Sequence, residues 1–265
     1  MTYCLGIVTQ YGLVMAADSR TNAGVDYIST YQKLFDFTVP GERVILLATA
    51  GNLSMTQEIL TILRRDLRAQ ADVSLHTLPN MYEIARYVGS KVRQVIETHR
   101  AWLQQDKIDY QCSFLLGGQI RGEETCLYLI YSQGNFLQAT PETPFLQIGE
   151  TKYGKPILDR TLSYDTPIEA AAKYALLSLD STMKSNISVG PPLHLIKYAA
   201  NSFLIKHRVE LVLRDPFLIK IRKYWEASLR HAFEGMPAIE WQEGEFADVA
   251  LLSAPAPDIS TPVVE

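Results

Sequence analysis

Cysteine is scarce in this chain: Cys4, Cys112 and Cys126 are the only three among 265 residues, and no two form a C-x-x-C pair. A disulfide scaffold or a zinc cluster needs more thiols at closer spacing, so the count fits a protein kept in a reducing cytoplasm. No uninterrupted apolar run reaches the ~18 residues that a membrane-spanning helix requires. The opening MTYCLGIVTQYGLVMAADSR lacks the basic start and small-residue cleavage site of a signal peptide. Charge of one sign is missing too. With 25 Lys and Arg against 29 Asp and Glu, there is no electrostatic footprint for nucleic acid, and the basic RRDLR at 64–68 reads as the solvated face of a helix. Fifteen glycines and 13 prolines are too few for a collagen-like or low-complexity chain, and 47% hydrophobic residues are too many for a disordered one.

The common catalytic motifs are also missing. The chain has no G-x-x-x-x-G-K-[ST], G-x-G-x-x-G, G-x-S-x-G or H-E-x-x-H, and its five histidines have no metal-ligand spacing. No cofactor or metal is therefore expected. Any dependence on ATP would have to come from a separate unfoldase.

What is present begins at the second residue. Tyr3–Thr9 and Leu13–Asp18 read as a hairpin turning at Gln10-Tyr11-Gly12. Further strands are expected at 33–39 and 43–49, where VILLATA is apolar enough to be buried on both faces. The period then lengthens to that of a helix from Ser54, whose pairing with Gln57 reads as a capping box. A second, long helix follows from Met81. Strands are expected at 111–118, 124–131, 134–138 and 144–148. Thr166-Pro167-Ile168-Glu169 reads as a helix start with Thr166 as the cap, and that helix runs to about Thr182. LHLIKYA and a segment near 205–213 read as strands, and Asp215-Pro216 opens a last helix. Blocks of strands separated by pairs of helices suit an α+β fold of four layers, two sheets face to face with helices outside. Residues 1–242 are read as one domain and 243–265 as an Ala/Pro-rich tail. The last helix and the tail exceed what such a core requires and are expected to contact neighbouring subunits.

A small residue after Met1 permits removal of the initiator, which would leave Thr2 with a free α-amine. One residue then carries both a nucleophile, Oγ1, and a base, the amine, whose pKa of about 7.7–8.0 lets it be neutral at working pH without extreme tuning. The hairpin brings Asp18 back beside Thr2, and Lys33 ahead of the next strand can pair with Asp18. Gly51, between a buried strand and a helix N-terminus, is placed to offer its N–H to an oxyanion.

Thr2, AADSR at 16–20, Gly24, Lys33 and TAG at 49–51 resemble the motif set of proteasome β-type subunits. GETKYGKPILDR at 149–160, LDSTMKSNISVGPPLHLIKY at 179–198 and YWEASLRHAFEGMPAIEW at 224–241 narrow the resemblance to the bacterial Anbu (ancestral β-subunit) family of proteasome-like N-terminal-nucleophile hydrolases. It covers residues 2–242. It implies an αββα sandwich and a threonine-type peptidase built from identical subunits, in a ring or an open helix, acting on peptides or unfolded chains. By resemblance Thr2 is the nucleophile, Asp18 and Lys33 its charge partners, and Gly51 the oxyanion donor. Thr21 and Asn22 would hold the substrate backbone, and Asp180 and Ser185 would orient the Thr amine. No propeptide is expected, only removal of Met1. One segment departs from the pattern: Gly149-Glu150-Thr151 stands where proteasome subunits carry a serine. A carboxylate there would bind the ammonium form of the amine and raise its pKa. That departure keeps two other readings open, an amidase or transferase on a small amide and a weakly active or non-catalytic assembly subunit.

Overall fold

The computed structural model describes residues 2–22 and 28–241, with the backbone alone for Asn22 and Ile28. In chain order, β1 (Tyr3–Thr9), β2 (Gly12–Ala17), β3 (Arg20–Asn22), β4 (Ile28–Thr30), β5 (Leu34–Asp36) and β6 (Arg43–Gly51) precede two helices, α1 (Leu53–Arg68) and α2 (Met81–Gln105). Then come β7 (Cys112–Ile120), β8 (Cys126–Ile130), β9 (Phe136–Gln138) and β10 (Phe145–Gly149). The helices α3 (Lys155–Thr161) and α4 (Ile168–Ser185), the strands β11 (Leu193–Ala199) and β12 (His207–Leu211), and the helix α5 (Pro216–Glu234) complete the chain.

The strands form two five-stranded sheets, ordered β10-β1-β2-β11-β12 and β5-β6-β7-β8-β9, and β3 pairs with β4 in a separate ribbon. All the pairings are antiparallel. Side chains alternate across each strand, and that alternation divides the apolar residues into three cores. Cys4, Val8, Leu13 and Met15 meet Val44, Leu46 and Leu115 between the two sheets. Leu5, Ile7, Val14 and Ala16 point the other way onto Ala171, Ala175 and Leu179 of α4. Ile45, Leu47 and Leu116 pack against Ile59, Leu63, Ile84 and Val88 of α1 and α2. This is the expected four-layer αββα sandwich. Because both sheets are covered on both faces, β1 and β2 are buried at every position.

Some local expectations are corrected. The cap of α1 is Asn52, whose side chain accepts from the Ser54 and Met55 N–H groups, in place of a box opened by Ser54. Pro167 occupies the cap position of α4, and the Thr166 hydroxyl instead accepts from the Ser163 N–H, closing the preceding turn. The helix runs on to Ser185, and α3 and the β3–β4 ribbon arise where no element was expected.

The chain divides into two compact units, 1–226 and 227–265. The first holds both sheets and α1 to α4. The second contributes to the described residues the end of α5 and the stretch 235–241, where Phe233, Met236, Ile239 and Trp241 are exposed. The tail expected from 243 lies outside the described residues. Among the described residues no helix is long and apolar enough to cross a membrane.

Candidate active site

The start of β1 is held in place from several sides. The Tyr3 N–H donates to Asp18 Oδ1 at 3.0 Å, and the Asp18 N–H donates back to the Tyr3 carbonyl at 3.2 Å. The Tyr3 ring turns to the opposite face, where its hydroxyl meets Ser178 Oγ at 2.6 Å and accepts from Gln147. Burial pushes that phenol up to about 12, so it acts as a neutral anchor. On the other flank the Glu150 N–H donates to the Thr2 carbonyl at 2.7 Å. Gly149 reaches this position only with a left-handed backbone, φ +86, and a Cβ there would lie 2.0 Å from the Thr2 oxygen.

Asp18 is fully buried and has three donors. Lys33 Nζ approaches Oδ1 at 2.8 Å, beside the Tyr3 N–H, and the Gly190 N–H approaches Oδ2 at 3.1 Å. The same ammonium donates to the Arg20 carbonyl at 2.5 Å. Burial pushes the Asp18 carboxyl up, while the Lys33 ammonium and the two backbone amides pull against it. Lys33 thus holds a buried cation on the carboxylate that anchors Tyr3, the residue after the half-buried Thr2. Cys4, two residues on, does not compete as a nucleophile, because burial pushes its thiol up and its Sγ contacts the Thr49 carbonyl.

Gly51 ends β6 with φ +103, opposite Cys112, and a Cβ there would sit 2.3 Å from the Gln111 carbonyl. Only glycine fits that approach. Lys33 and Thr49 are tied by a 3.0 Å backbone bond. They also wall a cavity of about 370 Å³ shared with Tyr31, Phe35, Leu53 and Arg64. Thr21 pairs with Ser29 in the β3–β4 ribbon. Asn22 opens the undescribed stretch, and its side chain, like Gly24 and Met1, lies outside the described residues.

Residues 2–194 match the family model described as proteasome subunit. Anbu from Yersinia bercovieri superposes with a TM-score of 0.84 at 45% identity, covering 91% of this chain and all of that one. The helical assembly of the Anbu complex from Pseudomonas aeruginosa gives 0.86 at 45% identity over 90% and 98%. A Gly-1 mutant of Anbu from Hyphomicrobium sp. strain MC1 gives 0.85 at 41% over 91% and 100%. This chain belongs to the Anbu group of the proteasome subunit family. No curated protein gives a match.

Within this Anbu fold the sequence-expected residues do not all gather. The β1–β2 hairpin brings Asp18 onto the N–H of Tyr3, the residue after Thr2, and Lys33 pairs with Asp18. Asp180 does not join them through any of its described hydrogen bonds. Its buried carboxylate takes two bonds from Arg222 of α5, at 2.8 and 2.6 Å, and so ties α5 to α4. Ser185 is exposed at the last turn of α4. The segment that reaches the site is the next one. Asn186 Nδ2 donates to Glu150 Oε2 at 3.1 Å, the Ile187 carbonyl accepts from Arg20 Nη1 at 2.8 Å, and the Gly190 carbonyl accepts from the Ser19 and Arg20 N–H groups. Sequence reasoning missed Asn186 and Gly190. Their only signal was the length of the loop running into Pro191-Pro192.

Proposed function

We propose that this chain is a threonine-type endopeptidase subunit working in a homo-oligomer, with Thr2 as nucleophile once Met1 has been removed. The observation that carries the reading is the convergence of Lys33 Nζ, the Tyr3 N–H and the Gly190 N–H on a fully buried Asp18 at the start of β1. A buried ion pair is weak evidence for stability, since desolvation offsets much of its attraction. Its position beside a residue able to carry a free amine gives it a chemical use. The Lys33 ammonium lowers the cost of the alkoxide at Thr2 Oγ1 and favours the neutral form of the α-amine.

In the proposed reaction Oγ1 attacks the scissile carbonyl carbon while the α-amine takes its proton. The oxyanion forms towards the Gly51 N–H. The leaving amine takes the proton and departs, and water hydrolyses the resulting ester. The cavity beside Lys33 receives a substrate side chain, and the strand containing Thr21 and Asn22 offers backbone groups to an extended peptide. Asp180 serves in this proposal as the anchor of α5. A self-associating form is supported by the helical assembly of the Pseudomonas aeruginosa relative. It would confine the sites and limit access to unfolded chains and peptides, with any unfoldase supplied by another protein.

Intact mass and an assay on short fluorogenic peptides and a denatured protein test this. The expected result is loss of Met1, measurable turnover, and none in Thr2→Ala. No turnover by processed wild type, or full activity in Thr2→Ala, overturns it.

A second reading, an assembly subunit of slow turnover, is favoured by Glu150. Its N–H holds the Thr2 carbonyl and its side chain is buried, and a carboxylate turned to the amine would hold it as ammonium. On that reading activity climbs as pH rises above neutrality, and Glu150→Gln moves the rise to lower pH.

A further inference from the structure

A second cavity shares no wall with the Lys33 cavity. It has a volume of about 740 Å³ and runs between the end of α4, the 186–191 loop and the start of α5. Four cations line it: Arg20, Lys184, Arg214 and Arg222. The one acid among its lining residues is Asp215, and that carboxylate is spent on capping α5, accepting from the Phe217 and Leu218 N–H groups. Arg222 is neutralised by Asp180. Lys184 has only an exposed Glu226 at 4.0 Å, and Arg214 is exposed with no ion pair among the described residues. The floor between these charges is apolar and open, with Ile187 80% and Leu213 67% exposed. A groove with spare positive charge and uncovered apolar side chains suits an acidic, apolar peptide.

This chain contains such a peptide. Residues 242–265 carry five carboxylates, at Glu243, Glu245, Asp248, Asp258 and Glu265, and no Lys or Arg. Phe246, Val249, Leu251, Leu252 and Ile259 are interspersed among them. We propose that the groove receives the acidic 243–252 segment of a neighbouring copy of this chain, so that the segment acts as a connector between subunits. The inference rests on the reading of the chain as a self-associating subunit and is independent of its peptidase chemistry. It also has a consequence for the site. The occupant would lie on Arg20 and Ile187, the outer side of the loop whose Gly190 N–H holds Asp18, so docking would brace that loop.

The test uses the full chain, prepared as an equal mixture of unlabelled and nitrogen-15-labelled subunits. The mixture is exchanged at high salt and returned to low salt, with mixing confirmed by native mass. Sedimentation velocity reports association, and a zero-length carbodiimide cross-link joins Lys184 to any carboxylate in contact. The expected result is Lys184 linked to Glu243, Glu245 or Asp248, with about half the linked pairs of mixed label. Glu243→Gln/Glu245→Gln/Asp248→Asn should remove those links. Loss of these surface charge pairs should also weaken association about tenfold. Arg214→Glu should weaken association in the same direction. The proposal is overturned if links fall only within like-labelled pairs, if the segment links to other lysines, or if both variants associate as the parent does. In each of those outcomes association itself still stands, whereas a chain that sediments as a monomer at low salt sinks both the connector and the assembly.

Discussion

Asp18 and Lys33 show how one buried pair can be weighed. Both side chains are almost wholly out of water, and Asp18 has donors on both oxygens. Replacing Lys33 by Met leaves a carboxylate with amide donors and no counter-charge. Such a loss costs about 3–5 kcal/mol, which a shift in urea midpoint will report. The pH dependence gives the sign of the effect. Burial already pushes the Asp18 carboxyl up with Lys33 in place, and without Lys33 it rises further. A carboxyl raised above its unfolded value takes up a proton on folding, so stability is lost as pH rises through the folded value. The deficit of Lys33→Met should therefore be smaller at pH 5 than at pH 8, and a deficit that is flat or grows towards acid pH would refute a charged Asp18. Asp18→Asn/Lys33→Met should regain much of the stability and none of the turnover. These two residues were legible in the sequence because a hairpin of known register returns Asp18 beside Thr2. Gly190 was not, since its contact with Asp18 spans 172 residues and no local pattern encodes it. The bond of Asp180 to Arg222 was hidden for a related reason, since the two lie on different helices.

At the scale of elements, long periodic segments were readable and short ones were not. α1, α2 and β6 announce themselves through apolar spacing over many residues. α3, seven residues long with Pro156 in its first turn, and the three-residue strands β3 and β4 have too few positions for any period to show. Caps are decided by single side chains. At α1 the Asn52 carbonyl oxygen accepts from the Ser54 N–H, the Met55 N–H and the Ser54 hydroxyl, and its amide donates to the Asp109 carbonyl at 2.7 Å. Asn52→Ala removes the cap and leaves the Asp109 carbonyl without that donor. A cost of about 1–2 kcal/mol is expected, against a few tenths for Ser54→Ala. If Ser54→Ala proves the costlier in chemical denaturation, the capping box read from sequence is restored. Asn52 also follows Gly51 directly, so loosening this helix start should lower turnover as well as stability.

For the whole molecule, the contact between the two sheets is what joins them into one structure. The sequence showed that two sheets were needed and left open how closely they approach, because that distance is set by side chains far apart in the chain. Gly6 and Gly117 mark the close places: a Cβ on Gly6 would lie 2.6 Å from Leu127 Cδ1, and one on Gly117 would lie 2.7 Å from Leu13 Cδ2. Gly6→Ala therefore forces Leu127 to move in a core with no room, at an expected cost of about 1–3 kcal/mol. Leu127→Ala opens a cavity at the same place, for about 2–5 kcal/mol. Each change supplies what the other lacks, since the new methyl at position 6 projects into the space that Leu127 vacates. The double variant should accordingly be more stable than the sum of the singles by about 0.5–3 kcal/mol, the range found for residues in contact. Urea midpoints of the four proteins measure that coupling. Strict additivity would mean that the sheets shift apart to admit the methyl, which should also loosen the register of β1 against β2 and with it the placement of Thr2. A large coupling would mean that the spacing is fixed and that the start of β1 is held by the packing of the sandwich as firmly as by Asp18.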